Sequence, residues 1–259
     1  MAKLSHLPKQ IKDLIKALDG GYQHGPRTML EAFVEHTLSV WKAPGVDRPQ
    51  PSLRDRMQDA FECYGELIKT HEPFEDILGP VFMEVVSGKS RDAKGQFFTP
   101  WSMCKMMAMM TIGTDPVKSH DRLTTIIDPA CGSGAMLLAA ANQILTTQGN
   151  QALYMTSISA IDIDLLCARM TAVQMVANCN VWGVQLGEIV VYQGNSLGPL
   201  TDMRTVLHAN APGHVVPPAL DPIRQRMIRN SIGHRSVQAP SRARDPAYTV
   251  EKPMLATID

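Results

Sequence analysis

The stretch 124–142 constrains this chain more than any other. A β-branched run, Thr124-Thr125-Ile126-Ile127, leads into Asp128-Pro129-Ala130-Cys131-Gly132-Ser133-Gly134, and an Ala/Leu-rich run follows over 135–142. That order predicts a buried strand, a tight glycine turn and a helix start, the unit from which doubly wound α/β sheets are built. Glycines in such a turn let the backbone approach a bound molecule more closely than a Cβ allows. The acid at the strand end places a fixed negative charge at the mouth of the crevice.

Two phosphate-binding patterns do not fit this turn. A dinucleotide fingerprint needs a third glycine, where Ala135-Met136-Leu137 supplies none, and the turn has no Gly-Lys-Ser/Thr ending. A negative strand end beside an open glycine turn suits a ligand with a cationic amino group and a nucleoside, and S-adenosylmethionine has both. A second strand over 157–161 ends in Asp162-Ile163-Asp164, and an acid there can accept both ribose hydroxyls. Asp162 is the first choice for that role and Asp164 the second; Asp164 reads better as the start of the helix over 165–178. A third strand over 188–193 runs into Gly194-Asn195-Ser196-Leu197, so three successive strand ends carry polar groups to one crevice.

With Gly95-Gln96-Phe97-Phe98-Thr99-Pro100 upstream and Ala160 to Asp164 with Ala168-Arg169-Met170 downstream, these segments form an ordered series. The series resembles the N6-adenine DNA methyltransferases, specifically the modification subunits of type I restriction–modification systems. Asp76-Ile77-Leu78-Gly79 and Val81-Phe82 extend the likeness, which covers roughly residues 70 to 200. The resemblance implies S-adenosyl-L-methionine as cofactor, DNA as substrate, and a specificity or other protein subunit as partner. It implies that Gln96, Phe97, Phe98, Thr99 and Pro100 line the methionine end of the cofactor. Asp128, Pro129, Ala130, Gly132, Ser133 and Gly134 would hold its amino acid moiety, Asp162 its ribose, and Asn195 would face the adenine ring. Thr99 and Pro100 also read as the N-cap and first residue of a helix over 101–112, whose free N–H groups attract a carboxylate.

One family feature is missing. The family carries a Pro-Pro-aromatic loop, preceded by Asn, Asp or Ser, that accepts the target amine's hydrogens and stacks on the flipped base. The only Pro-Pro here is Pro217-Pro218, with Val216 before it and Ala219 after. Valine has no acceptor and alanine no stacking face. Family members also commonly have Asp where this chain has Asn195. Two readings follow: a DNA adenine-N6 methyltransferase-like protein inactive by itself, or a non-catalytic pseudo-methyltransferase serving as a cofactor-binding or partner subunit in modification or anti-restriction. No catalytic residue is assigned.

The expected fold is α/β: a methyltransferase (Rossmann-like) core, incomplete because only three strands are convincing where a full sheet has about seven, preceded by a helical N-terminal domain. Residues 1–94 form that domain, 95–203 the core and 204–259 a Pro/Arg-rich tail, with a short fourth strand near 214–216. Helices are expected over 4–18, 27–43, 53–70 (opened by a Ser52/Asp55 capping box) and 74–86. Net charge is zero, which gives no global case for nucleic acid; the Arg-rich tail reads as solvated, with phosphate contact the alternative. The segment 88–94, with Lys89, Arg91 and Lys94, reads as a solvated basic hinge. Five scattered cysteines without a C-x-x-C pair argue against a zinc site or disulfide framework and for a cytoplasmic location. Cys131 is expected to be a small packed residue, not a nucleophile. No membrane span or metal is expected. Met103, Met106, Met107 and Met110, at i, i+3, i+4 and i+7, predict a core-facing stripe.

Overall fold

The computed structural model describes residues 8–19, 24–43, 46, 51–86, 98–113, 123–199 and 202–212. The calls on Gln96, Phe97, the 88–94 hinge and the 214–216 strand lie outside them. Helices α1 (Lys9–Ala17), α2 (Pro26–Val40), α3 (Pro51–Lys69), α4 (Leu78–Val85) and α5 (Trp101–Thr111) precede the sheet. Then come β1 (Thr124–Asp128), α6 (Ala135–Gln148), α7 (Asn150–Tyr154), β2 (Thr156–Asp162), α8 (Leu165–Trp182), β3 (Glu188–Gln193) and β4 (Arg204–Asn210).

The sheet runs in the order β1-β2-β3-β4. The first three strands are parallel and β4 is antiparallel to β3. Helix α6 follows β1 and packs on it, and α8 follows β2 and packs on β2 and β3. In β2 every residue but Asp162 is buried, as a strand covered on both faces requires. Along α8 the buried residues fall on every side, Met170, Val173 and Ala177 among them, because α2 and α3 pack on it from one side and β2 and β3 from the other. One cluster of buried side chains runs from Ile11 to Leu207 and joins the N-terminal helices to the sheet. This is a mixed α/β architecture with a mostly parallel sheet.

Five expectations change. β1, expected to be buried, buries none of its residues and leaves Ile127 40% exposed, because among the described residues it pairs with β2 alone. The fourth strand is Arg204–Asn210, inside the segment read as tail. Only Val206 and Leu207 are buried in its central part, and Arg204 and Thr205 are exposed, so no sustained period marks it. Helix α3 begins at Pro51, so Ser52 falls inside its first turn and not before it; proline's fixed φ suits a helix start. Pro100, not Thr99, is the N-cap of α5: its carbonyl accepts from Met103 and Cys104, and no side chain caps the helix. The methionine stripe is not in the core: Met103, Met106, Met107 and Met110 are exposed, and α5 buries Cys104 and Ala108 against Ala135 and Ala139 of α6. Small residues allow the closer approach of two helices, so they took the packed side.

Candidate cofactor crevice

Parallel register places Asp128 opposite Ala160, two residues short of Asp162. The two acids therefore end adjacent strands at the carboxyl edge of the sheet, where open α/β sheets bind ligands. Asp162 Oδ2 accepts from Gly132 N at 2.8 Å and Oδ1 from Asp164 N at 2.8 Å, so the strand end fastens the glycine turn beside it. Asp128 Oδ1 accepts from Ala130 N at 3.0 Å. Burial pushes both carboxyls above the usual carboxylate range against these bonds, and Asp162 is raised further by the charges of Asp164 and Asp128. Among the described residues neither Asp128 nor Asp162 forms an ion pair. The two half-buried acids therefore leave an excess of negative charge at this edge of the sheet.

The turn itself is held from below. Gly132 has φ +56°, and a Cβ there would meet Phe98 Cε1 at 2.9 Å. Gly134 has φ +91° and faces Thr171 at 3.0 Å from an added Cβ. Phe98 stacks on Phe82, ring centroids 4.9 Å apart, which ties the upstream motif to α4 and to the turn. Thr171 Oγ1 donates to Gly132 O at 3.1 Å. Ser133 is buried and its hydroxyl donates to Asp76 Oδ2 at 2.9 Å, so its side chain faces the interior. Pro129, Ala130, Thr99 and Pro100 are exposed beside the crevice. Asn195 is exposed after β3, and its Oδ1 accepts from Leu197 N at 3.0 Å in a local turn. Asp164 is the N-cap of α8, accepting from Leu166 N at 3.0 Å, and receives two bonds from Arg27 Nη2 at 2.9 and 3.0 Å. Cys131 is buried, burial drives its thiol pKa far up, and Thr171 bonds its sulfur; it is no thiolate.

Sequence reading missed the polar clamp beneath the turn. Gln174 is fully buried with every valence used: Oε1 accepts from Ile77 N and Leu78 N, both at 2.9 Å, and Nε2 donates to Asp76 Oδ1 at 2.7 Å and Ser133 O at 2.8 Å. Asn178 Oδ1 accepts from Phe74 N at 2.6 Å, and Asn142 Nδ2 donates to Pro73 O at 2.7 Å. Asp76 Oδ1 also accepts from Gly79 N at 2.9 Å. Glu72 joins the same segment to α5, taking bonds from Trp101 Nε1 at 3.0 Å and Lys105 Nζ at 2.8 Å; despite burial, these partners hold its carboxyl below the usual range. Polar residues inside the apolar pattern of α8 were the available signal, since a buried amide must have partners. Two exposed apolar side chains were missed as well: Ile163, 69% exposed, follows Asp162, and Leu197, 95% exposed, follows β3.

Fold and crevice together define a methyltransferase-like α/β protein. Residues 74–209 match the family model described as N-6 DNA Methylase, a match that opens at the buried clamp and closes in β4. The match takes in more than half of the chain, which belongs to the N-6 DNA methylase family. No curated protein and no solved structure matches the chain. Among the described residues no helix is long and apolar enough to cross a membrane, and no group of three or more His, Cys, Asp or Glu is placed to hold a metal ion.

Proposed function

We propose that the crevice binds S-adenosylmethionine and that the chain is a DNA adenine-N6 methyltransferase-like protein of the type I modification class, inactive in methyl transfer by itself. One observation carries this: Asp128 and Asp162, without a cation among the described residues, end adjacent strands around a turn whose Gly132 has no room for a Cβ. The donor set fits the cofactor. Asp128 keeps a carboxylate oxygen for an amino group, and Asp162 keeps lone pairs for ribose hydroxyls after its two backbone bonds. Pro129, Ala130, Gly132, Ser133 and Gly134 then frame the amino acid moiety, Ser133 by its backbone. Phe98, Thr99 and Pro100 border the methionine end, Phe98 through its place against Gly132, and the resemblance assigns Gln96 and Phe97 to the same end. Asn195, Ile163 and Leu197 offer the adenine ring one polar and two apolar neighbours. When bound, the cofactor's sulfonium supplies the electrophilic methyl group.

The residues that would draw the amine's lone pair out of conjugation are not found in this sequence, since Pro217-Pro218 has Val216 and Ala219 as neighbours. Methylation of DNA in the cytoplasm accordingly needs groups beyond these residues to complete the site, of the kind a specificity or modification partner would supply. The same departure favours a second reading, a cofactor-binding pseudo-methyltransferase that acts only as a subunit.

Calorimetric titration of S-adenosylmethionine into the full chain tests the proposal, beside Asp128→Ala and Asp162→Asn. Low-micromolar binding that Asp128→Ala abolishes and Asp162→Asn weakens is the expected result. No heat with a folded protein overturns it. Methylation of DNA by the chain without a partner would overturn the claim of inactivity and leave the cofactor site standing.

A further inference from the structure

Thr171 and Gln174 stand at i and i+3 on α8, and both side chains are fully buried and end on the glycine turn. Thr171 Oγ1 donates to Gly132 O at 3.1 Å, with Cys131 Sγ, a weaker acceptor, at 3.3 Å. Gln174 Nε2 donates to Ser133 O at 2.8 Å. Two successive carbonyls of the turn are thereby drawn into the interior, away from the crevice. The described peptide bonds are trans, and in a trans peptide the N–H points opposite to the C=O. With Gly132 O held inward, the N–H of Ser133 is turned outward. The neighbouring N–H groups have other uses: Gly132 N–H meets Asp162 Oδ2 at 2.8 Å, and Gly134 N–H meets Cys131 O at 2.8 Å. The Ser133 hydroxyl is held by Asp76 on the inner side, so the side chain leaves its own N–H uncovered.

We propose that Thr171 is a positioning residue for the amino acid arm of the ligand: by holding Gly132 O it aims Ser133 N–H at the arm's carboxylate. The proposal rests on the cofactor reading and deepens it. The arm of S-adenosylmethionine carries two opposite charges, and Asp128 suits only its ammonium. A carboxylate entering the same turn needs a donor and no outward carbonyl, and Thr171 and Gln174 together arrange both. An N–H fixed before the ligand arrives needs no reordering on binding, which strengthens its bond to a charged group. Thr171 does this without touching the ligand, since it has no exposed surface. Gln174 locks the next peptide unit, because its amide also holds Ile77 N, Leu78 N and Asp76 Oδ1. Gln174 thus serves the core as well as the turn. Both partners of the Thr171 hydroxyl, Gly132 O and Cys131 Sγ, belong to the turn, so its removal is the cleaner test.

The full chain is titrated calorimetrically with S-adenosylhomocysteine and with methylthioadenosine, which share the adenosine thioether and differ in the amino acid arm. Methylthioadenosine is also read by competition up to millimolar concentration. Thr171→Val removes the hydroxyl and keeps the branched shape; Thr171→Ser keeps the hydroxyl. The expected result for Thr171→Val is about tenfold or more weaker binding of S-adenosylhomocysteine, with methylthioadenosine changed less than about threefold, as loss of one bond to a charged group requires. Thr171→Ser restores the binding. Circular dichroism establishes that each variant folds; where Thr171→Val does not, Thr171→Ala reads the same loss. Wild-type affinity in folded Thr171→Val, equal losses for the two ligands, or Thr171→Ser as weak as Thr171→Val overturns the positioning role and leaves the cofactor reading standing. A wild type that binds neither ligand overturns the cofactor reading, and this role with it.

Discussion

At Asp76, a carboxyl buried at 7% exposure supports the glycine turn without reaching the crevice. Burial raises its pKa, opposed by the bonds from Gln174, Gly79 and Ser133. A folded-state pKa above the unfolded value means that the folded protein holds the proton longer. Stability from this group is therefore present at low pH and lost as pH rises from the ordinary carboxylate range through the raised value. Asp76→Asn keeps an acceptor for Gly79 and Gln174 and can donate to Ser133, so it is expected to cost less than about 1 kcal/mol at neutral pH. Asp76→Ala strands buried donors and is expected to cost about 2–4 kcal/mol. Urea unfolding of the three proteins at several pH values measures both, and a flatter pH profile for Asp76→Asn is part of the expectation. The sign at the crevice acids follows the same logic. Asp128 and Asp162 are raised, so cofactor binding should weaken as pH falls through their folded pKa values, because protonation removes the Asp128 charge that meets the ligand's cation and weakens Asp162 as an acceptor for its ribose. Calorimetry down the pH scale reads this directly, and affinity that is flat with pH would remove both acids from the role. Gly132→Ala has a left-handed φ and a Phe98 ring in its way; it should cost about 1–3 kcal/mol and lower cofactor affinity together.

Among the elements, α8 organises the site. Its first turn is pinned by Asp164, which caps the helix and takes the paired bonds of Arg27 from α2. Further along, Thr171, Gln174 and Asn178 reach the glycine turn and the segment 74–78. Asp164→Ala removes cap and ion pair at once, leaving Arg27, whose side chain is 27% exposed, with Glu31 as its remaining partner at 2.8 Å. A loss of about 2 kcal/mol is expected by chemical denaturation, with Asp164→Asn recovering the part due to the cap. The segment 74–79 is the second decisive element. It lies across α4, α6 and α8 with Phe74, Ile77, Leu78 and Gly79 N–H groups all bonded to side chains. Gly79 is required there because a Cβ would sit 2.1 Å from Asp76 Oδ2.

Across the molecule, the helical layer and the sheet share one cluster of buried side chains, from Ile11 in α1 to Leu207 in β4. Cooperative unfolding in a single transition is expected, with tryptophan fluorescence and far-ultraviolet circular dichroism coincident in urea. Trp41 reports the helical layer and Trp182 the end of α8. Separate transitions would show that residues before α5 stand as an independent unit.

The sequence alone determined the central βαβ pattern. The runs 124–127, 157–161 and 188–193 lie within strands, and the DPACGSG turn carries two positive-φ glycines. Those features are local: β-branched runs, glycine torsions and an acid at a strand end are decided by neighbours in the chain. The clamp was decided by tertiary structure, because Asp76, Ser133 and Gln174 are far apart in sequence and their polarity acquires meaning only through burial together. So was β4, a half-exposed strand whose pairing with β3 supplies what its own pattern lacks. The stripe on α5 marks the boundary between the two. Its spacing specifies an apolar helix face, but which face packs depends on the size of the neighbour's side chains, and the alanines of α6 selected Cys104 and Ala108 over the methionines.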